Sequence, residues 1–84
     1  MTDEQFLKEL GNKVAEIRRE NGFSQTDLGA LIDMEKSNLS AIENGRQNPS
    51  SLTLKKIANA INCNVKAFFE FQEPAKNIDK LLKD

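Results

Sequence analysis

The stretch that most constrains this chain runs from Ser24 to Gly45, SQTDLGALIDMEKSNLSAIENG. Read at helical period, it splits into two short amphipathic segments. The first directs Leu28, Leu31 and Ile32 inward, and the second directs Leu39 and Ile42 inward. Between them lies Asp33-Met34-Glu35, too short for anything but a sharp corner. Gly29, in the middle of the first segment, leaves space for close approach of a second helix. Two helices joined steeply across so tight a corner make a helix-turn-helix.

The flanking sequence supplies what such a pair needs to be buried against. Phe6, Leu7, Leu10, Val14 and Ile17 form one stripe of a helix over residues 4–20, with Asp3 and Glu4 near its positive N-terminal end. Asn21-Gly22 ends that helix, because glycine adopts the left-handed conformation without steric cost. Phe23 follows as an apolar plug. Ser24 is an N-cap, with Asp27 in the capping-box position. The second and third helices are predicted over Gln25–Ile32 and Lys36–Glu43. Asp33 takes the turn position of positive φ between them, a conformation that Asp tolerates. After Asn44-Gly45, Pro49 blocks further helix. A fourth helix over Ser51–Ile61 is expected to direct Leu52, Leu54, Ile57, Ala58 and Ile61 to the core, with Asn62 at its C-terminal end. Asn64 caps a short fifth helix from Val65 to Glu70. The expectation is an all-α, five-helix domain over residues 1–71. A C-terminal extension over 72–84 should form one more short helix, with Ile78, Leu81 and Leu82 on one side.

Composition excludes several classes. No apolar run approaches the ~20 residues that a membrane span needs. The lone Cys63 forbids an intramolecular disulfide, and with no histidine the usual zinc sites cannot be assembled. No Gly-rich phosphate loop or nucleophile–base pair is present, so no metal, no cofactor and no enzymatic activity are expected. A free thiol without an export signal points to a cytoplasmic setting. Twelve basic and thirteen acidic residues give a net charge of −1, which by itself speaks against a nucleic-acid partner. The distribution speaks the other way: from Lys36 to Lys56 the cations Lys36, Arg46, Lys55 and Lys56 face one acid, Glu43.

These residues resemble a known family. The pattern Ile17-Arg18, Gly22-Phe23-Ser24-Gln25, Leu28-Gly29, Leu39-Ser40-Ala41-Ile42-Glu43-Asn44-Gly45, Asn48-Pro49, Leu54, Ile57-Ala58 and Ala60-Ile61 is similar to that of lambdoid phage repressors and Cro proteins. Restriction-modification controller proteins belong to the same family. The resemblance spans about Leu10 to Phe69 and implies a compact lambda-repressor-like domain that places its third helix in the DNA major groove. It further implies that Lys36, Ser37 and Ala41 read bases. Gln25 would bond a phosphate at the N-terminus of the second helix, and Asn38, Ser40, Asn44, Arg46 and Asn48 would add phosphate contacts. Glu43 matches an internal acid that pairs with an arginine of the first helix, here Arg18. Two positions depart from the family pattern. Glu35 stands where Ser or Thr is preferred as N-cap, and Asp33 replaces the usual turn glycine, so two carboxylates flank the reading helix.

The resulting expectation is a small repressor-type transcriptional regulator acting as a homodimer on a palindromic double-stranded operator. Cys63, Val65 and Phe68, together with Ile78, Leu81 and Leu82, are the candidate dimer surface. The alternative is a protein-interaction module on the same fold, such as the antitoxin of a toxin–antitoxin pair, which Asp33, Glu35 and the acidic balance favour.

Overall fold

The computed structural model describes residues 1–71. Its elements are α1 (Asp3–Glu20), α2 (Gln25–Ile32), α3 (Lys36–Glu43), α4 (Ser51–Ala60) and a 3-10 helix (Val65–Phe69), with no strand among the described residues. The expected helix over 75–83, with Ile78, Leu81 and Leu82, lies outside the described residues.

Each helix begins and ends for a local reason. Thr2 caps α1 through a reciprocal pair: its Oγ1 accepts from the Gln5 backbone N–H at 3.1 Å, and the Thr2 N–H donates to Gln5 Oε1 at 2.9 Å. Ser24 Oγ accepts from the Asp27 N–H at 3.0 Å, and Ser50 Oγ from the Thr53 N–H at 3.1 Å. At the C-termini of α1, α3 and α4 the chain turns through a left-handed residue: Gly22, Gly45 and Asn62 respectively. In each case the next two N–H groups fold back onto carbonyls of the last turn, for example Gly45 to Ile42 and Arg46 to Ala41. Asp33 closes α2 at φ 55°, the left-handed turn expected of it.

α1 packs on α3 and on the 3-10 helix, while α2 packs on α3 and α4. Leu10, Val14, Leu28, Leu39, Ile57 and Phe68 meet in one buried cluster, with Phe6, Ile17, Phe23 and Cys63 half-buried around it. The α1–α3 crossing is tight at Gly11. A Cβ there would strike the Ile42 carbonyl oxygen and lie 2.6 Å from that of Glu43. Gly29 is tight against the Met34 carbonyl, so its missing side chain makes room for the corner rather than for a second helix.

Three expectations are corrected. Leu52 is 59% exposed: it lies two residues, about 200°, from Leu54 and so faces away from the Leu54–Ile57–Ile61 stripe. Leu31 is 62% exposed: α2 ends at Ile32, and among the described residues no element covers that edge. It borders an open groove with Ile32, Lys56 and Ala60 instead. The segment from Val65 winds as a 3-10 helix, which carries Phe68 fully into the core. Phe68 therefore belongs to the monomer's interior and is removed from the candidate dimer surface; its neighbour Phe69 is the exposed ring, at 44%.

Candidate nucleic-acid interface

α3 presents two unlike faces. Leu39, Ile42 and Glu43 are buried, whereas Lys36, Ser37 and Asn38 are exposed and Ser40 and Ala41 are half-buried. The buried positions recur at the three- and four-residue spacing of one helical stripe, so Lys36 and Ser37 are left off that stripe. Lys36 and Ser37 lie in the first turn of α3, and Ala41 follows one turn later.

The inner end of α3 is held by charge. The Arg18 guanidinium donates through Nε to Glu43 Oε2 at 2.7 Å and through Nη2 to Glu43 Oε1 at 3.0 Å. Its Nη1 donates to the Phe23 carbonyl oxygen at 2.7 Å. Arg18 is 6% exposed and Glu43 5%, and no buried side-chain polar atom among the described residues lacks a partner. Such a fork-to-carboxylate pair fixes both distance and angle. It joins α1, the turn after it and α3 at one point.

A third group reaches the same carboxylate. Gln25 Nε2 donates to Glu43 Oε1 at 2.8 Å. Sequence reasoning gave Gln25 a phosphate contact and Glu43 an arginine partner, and it did not connect the two. No local signal links them, since they lie on different helices and meet only when α2 crosses α3. Gln25 opens α2, where the first backbone N–H groups have no acceptor inside the helix and carry its positive end.

The remaining predicted positions divide. Arg46, Asn48 and Asn38 are exposed on the loop and on α3. Asn44 is committed to its own helix: Nδ2 donates to the Ser40 carbonyl oxygen at 2.9 Å and to Ser40 Oγ at 3.2 Å. These bonds engage its amide nitrogen, the donor that a phosphate contact would draw on. The electrostatics sharpen in the fold. Glu43, the one acid between Lys36 and Lys56, is internal and paired, so the exposed charge of that segment is wholly positive. Against this stand Asp33 and Glu35, both exposed at the other end of α3. Glu35 occupies the N-cap position yet makes no side-chain capping bond.

Of the candidate dimer residues, Val65 is exposed and Cys63 half-buried. Desolvation pushes the Cys63 thiol pKa above its ordinary 9.0. No group of three or more metal-ligating side chains occurs among the described residues, and no helix there is long and apolar enough to cross a membrane.

The helix-turn-helix family model HTH_3 matches residues 14–68, which include the whole of α2, α3 and α4. The chain belongs to that family. Helix-turn-helix proteins of this kind are DNA-binding regulators of transcription, and α2 and α3 are arranged here as the family requires. The chain is similar to a competence pilus inhibition repressor of Acinetobacter baylyi, 37% identical over 76 residues, covering 90% of this chain and 69% of that protein. It is also similar to the ImmF control region 10 kDa protein of Bacillus phage phi105, 42% identical over 55 residues, covering 66% of this chain and 61% of that protein. Among solved structures, the restriction-modification controller protein C.AhdI of Aeromonas hydrophila superposes with a TM-score of 0.72 at 28% identity, over 75% of this chain and 96% of that one.

Proposed function

We propose that this helix-turn-helix protein binds a palindromic double-stranded operator as a homodimer and acts as a repressor-type regulator in the cytoplasm. α3 lies in the major groove. Lys36 donates to guanine O6 or N7, Ser37 bonds base edges, and Ala41 meets a thymine methyl. Gln25, Asn38, Arg46 and Asn48 hold phosphates, while Asn44 and Ser40 chiefly stiffen the end of α3. The observation that carries this reading is the two-faced α3, locked from behind by Arg18 and Glu43, with Lys36 and Ser37 exposed in front. A single module of this size offers few contacts, and two copies double them on half-sites about one helical turn apart. Val65 and Cys63 are the dimer residues supported within the described chain; Ile78, Leu81 and Leu82 remain part of the proposal.

Selection of bound fragments from random duplexes tests the reading, because it returns site sequence, symmetry and spacing together. The expected result is a palindrome, bound with a steep fall of log K against log salt. Lys36→Ala should change the preferred base at one position of each half-site, whereas Arg46→Ala should weaken all duplexes alike and flatten the salt slope by about one. Weak, salt-insensitive binding to every duplex would refute it. The exposed carboxylates of Asp33 and Glu35 favour the second reading, a protein-binding module such as an antitoxin. That reading predicts a stable complex with a protein partner and little discrimination between duplexes.

A further inference from the structure

Glu43 carries more bonds than an architectural ion pair requires. Its Oε2 accepts from Arg18 Nε at 2.7 Å, and its Oε1 accepts both from Arg18 Nη2 at 3.0 Å and from Gln25 Nε2 at 2.8 Å. Arg18 has Glu43 on two of its nitrogens and the Phe23 carbonyl on the third. The positive charge of Arg18 is thus directed at Glu43, and the carboxylate holds, through its second lone pair on Oε1, a side chain that is itself half-buried at the start of α2.

The chemistry of this contact fixes an orientation. A carboxylate only accepts, so the Gln25 amide cannot be flipped: its oxygen against Glu43 would set two acceptors face to face. One Nε2 hydrogen goes to Glu43, and the other remains a donor, directed away from the carboxylate by the planar amide. The amide belongs to the first residue of α2, whose neighbouring backbone N–H groups have no acceptor in the helix. An anion arriving there meets donors already aimed at it, and Gln25 need not lose its rotamer freedom at the moment of binding. Arg18 is what makes this arrangement compatible with a phosphate, because it neutralises Glu43, which would otherwise repel the same anion.

We infer that Glu43 is a positioning residue for DNA docking: through its bond to Gln25 it pre-orients the amide donor that α2 offers to a phosphate, and so couples the C-terminal end of the recognition helix to the backbone contact of its neighbour. This rests on the reading of Gln25 as a phosphate donor. Glu43 touches no DNA in this scheme; it acts by holding Gln25. Fixing one flexible side chain in advance is worth about three- to tenfold in affinity.

Two measurements test it. The first needs no substitution. In amide-resolved NMR spectra of the free full chain, the two Gln25 side-chain hydrogens should be widely separated in shift and slow to exchange with water, unlike those of the exposed Gln47. A Gln25 pair indistinguishable from Gln47 overturns the inference. The second is a double-mutant cycle on binding, with a duplex selected by the wild-type chain and a random-sequence duplex as probes. It is run at a temperature where circular dichroism shows every variant folded. Gln25→Ala should weaken both probes about tenfold. Glu43→Gln should weaken both three- to tenfold, and the added cost of Gln25→Ala in that background should shrink to threefold or less. If Gln25→Ala costs the same in both backgrounds, Glu43 does not position it, although Gln25 still serves as a donor. If Gln25→Ala leaves wild-type binding unchanged, it is the phosphate reading of Gln25 that fails, and the inference falls with it. Should Glu43→Gln not fold, the NMR comparison decides alone.

Discussion

The two ends of α3 are held by different means. At the C-terminal end Glu43 is buried, accepts three side-chain hydrogen bonds and is followed by a left-handed Gly45 that ties off the last turn. At the N-terminal end Glu35 faces solvent without a capping bond, after an Asp33 forced to φ 55°. One end is fixed by several mutually dependent side-chain hydrogen bonds, whereas among the described residues the other is held by apolar packing of Met34 and Leu39 and by the backbone. Lys36 and Ser37, the residues proposed to read base edges, lie at the end without a capping bond. The braced end fixes the angle of the helix, and the proposed reading residues lie away from that brace.

The strongest way to break this contrast is to remove the brace. Glu43→Ala leaves the Arg18 charge buried without its carboxylate and should cost about 3–5 kcal/mol in urea unfolding. A loss below 1 kcal/mol would mean that the two ends are equally held. Gly11→Ala attacks the same end sterically, through the Ile42 and Glu43 carbonyls, and should destabilise by ~1–3 kcal/mol as α1 is pushed off α3. The opposite end should respond in the opposite sense. Glu35→Ser supplies the missing cap and should stabilise by about 1 kcal/mol, while raising affinity for all duplexes most clearly at low salt. Asp33→Gly relieves a left-handed residue at some cost in backbone entropy, for a net gain of up to ~1 kcal/mol by thermal unfolding. If either substitution destabilised, the N-terminal end would hold contacts beyond those described. Smallest of all is the effect at Cys63, which lies on neither end. Burial raises its thiol pKa above 9.0, so the folded state favours the neutral thiol. That contribution is complete below pH 9 and declines as pH rises through the folded value. Thiol alkylation at pH 8 should therefore run slower in the folded chain than in urea.

Much of this architecture could be read from residues whose signal is local. The Leu10–Val14–Ile17 stripe, the Ser24 cap, the glycines after α1 and α3 and the left-handed Asp33 each follow from spacing or from a single backbone preference. Thr2-Asp3-Glu4-Gln5 carries an equally local signal, the capping box that opens α1. What escaped was set by tertiary neighbours. Gly11 gives no periodic signal, because its importance lies in two carbonyls of a helix far along the chain. Leu52 and Leu31 look like core residues by type, and only the packing direction of α4 and the early end of α2 expose them. The Arg18–Glu43 pair was available through family resemblance, whereas the Gln25 bond to the same carboxylate depends on a crossing that no pattern encodes.

The brace has one more consequence, for how new binding preferences can arise. Among the described residues, the side-chain hydrogen bonds that brace α3 against its neighbours are made through Glu43, and none of them passes through Lys36 or Ser37. Those two side chains can be exchanged without disturbing the bonds that aim the helix. On the proposed reading, docking geometry and base preference are thereby separable properties of one eight-residue segment. A lineage of such chains can change the site it recognises through one or two substitutions while inheriting its posture on the duplex intact.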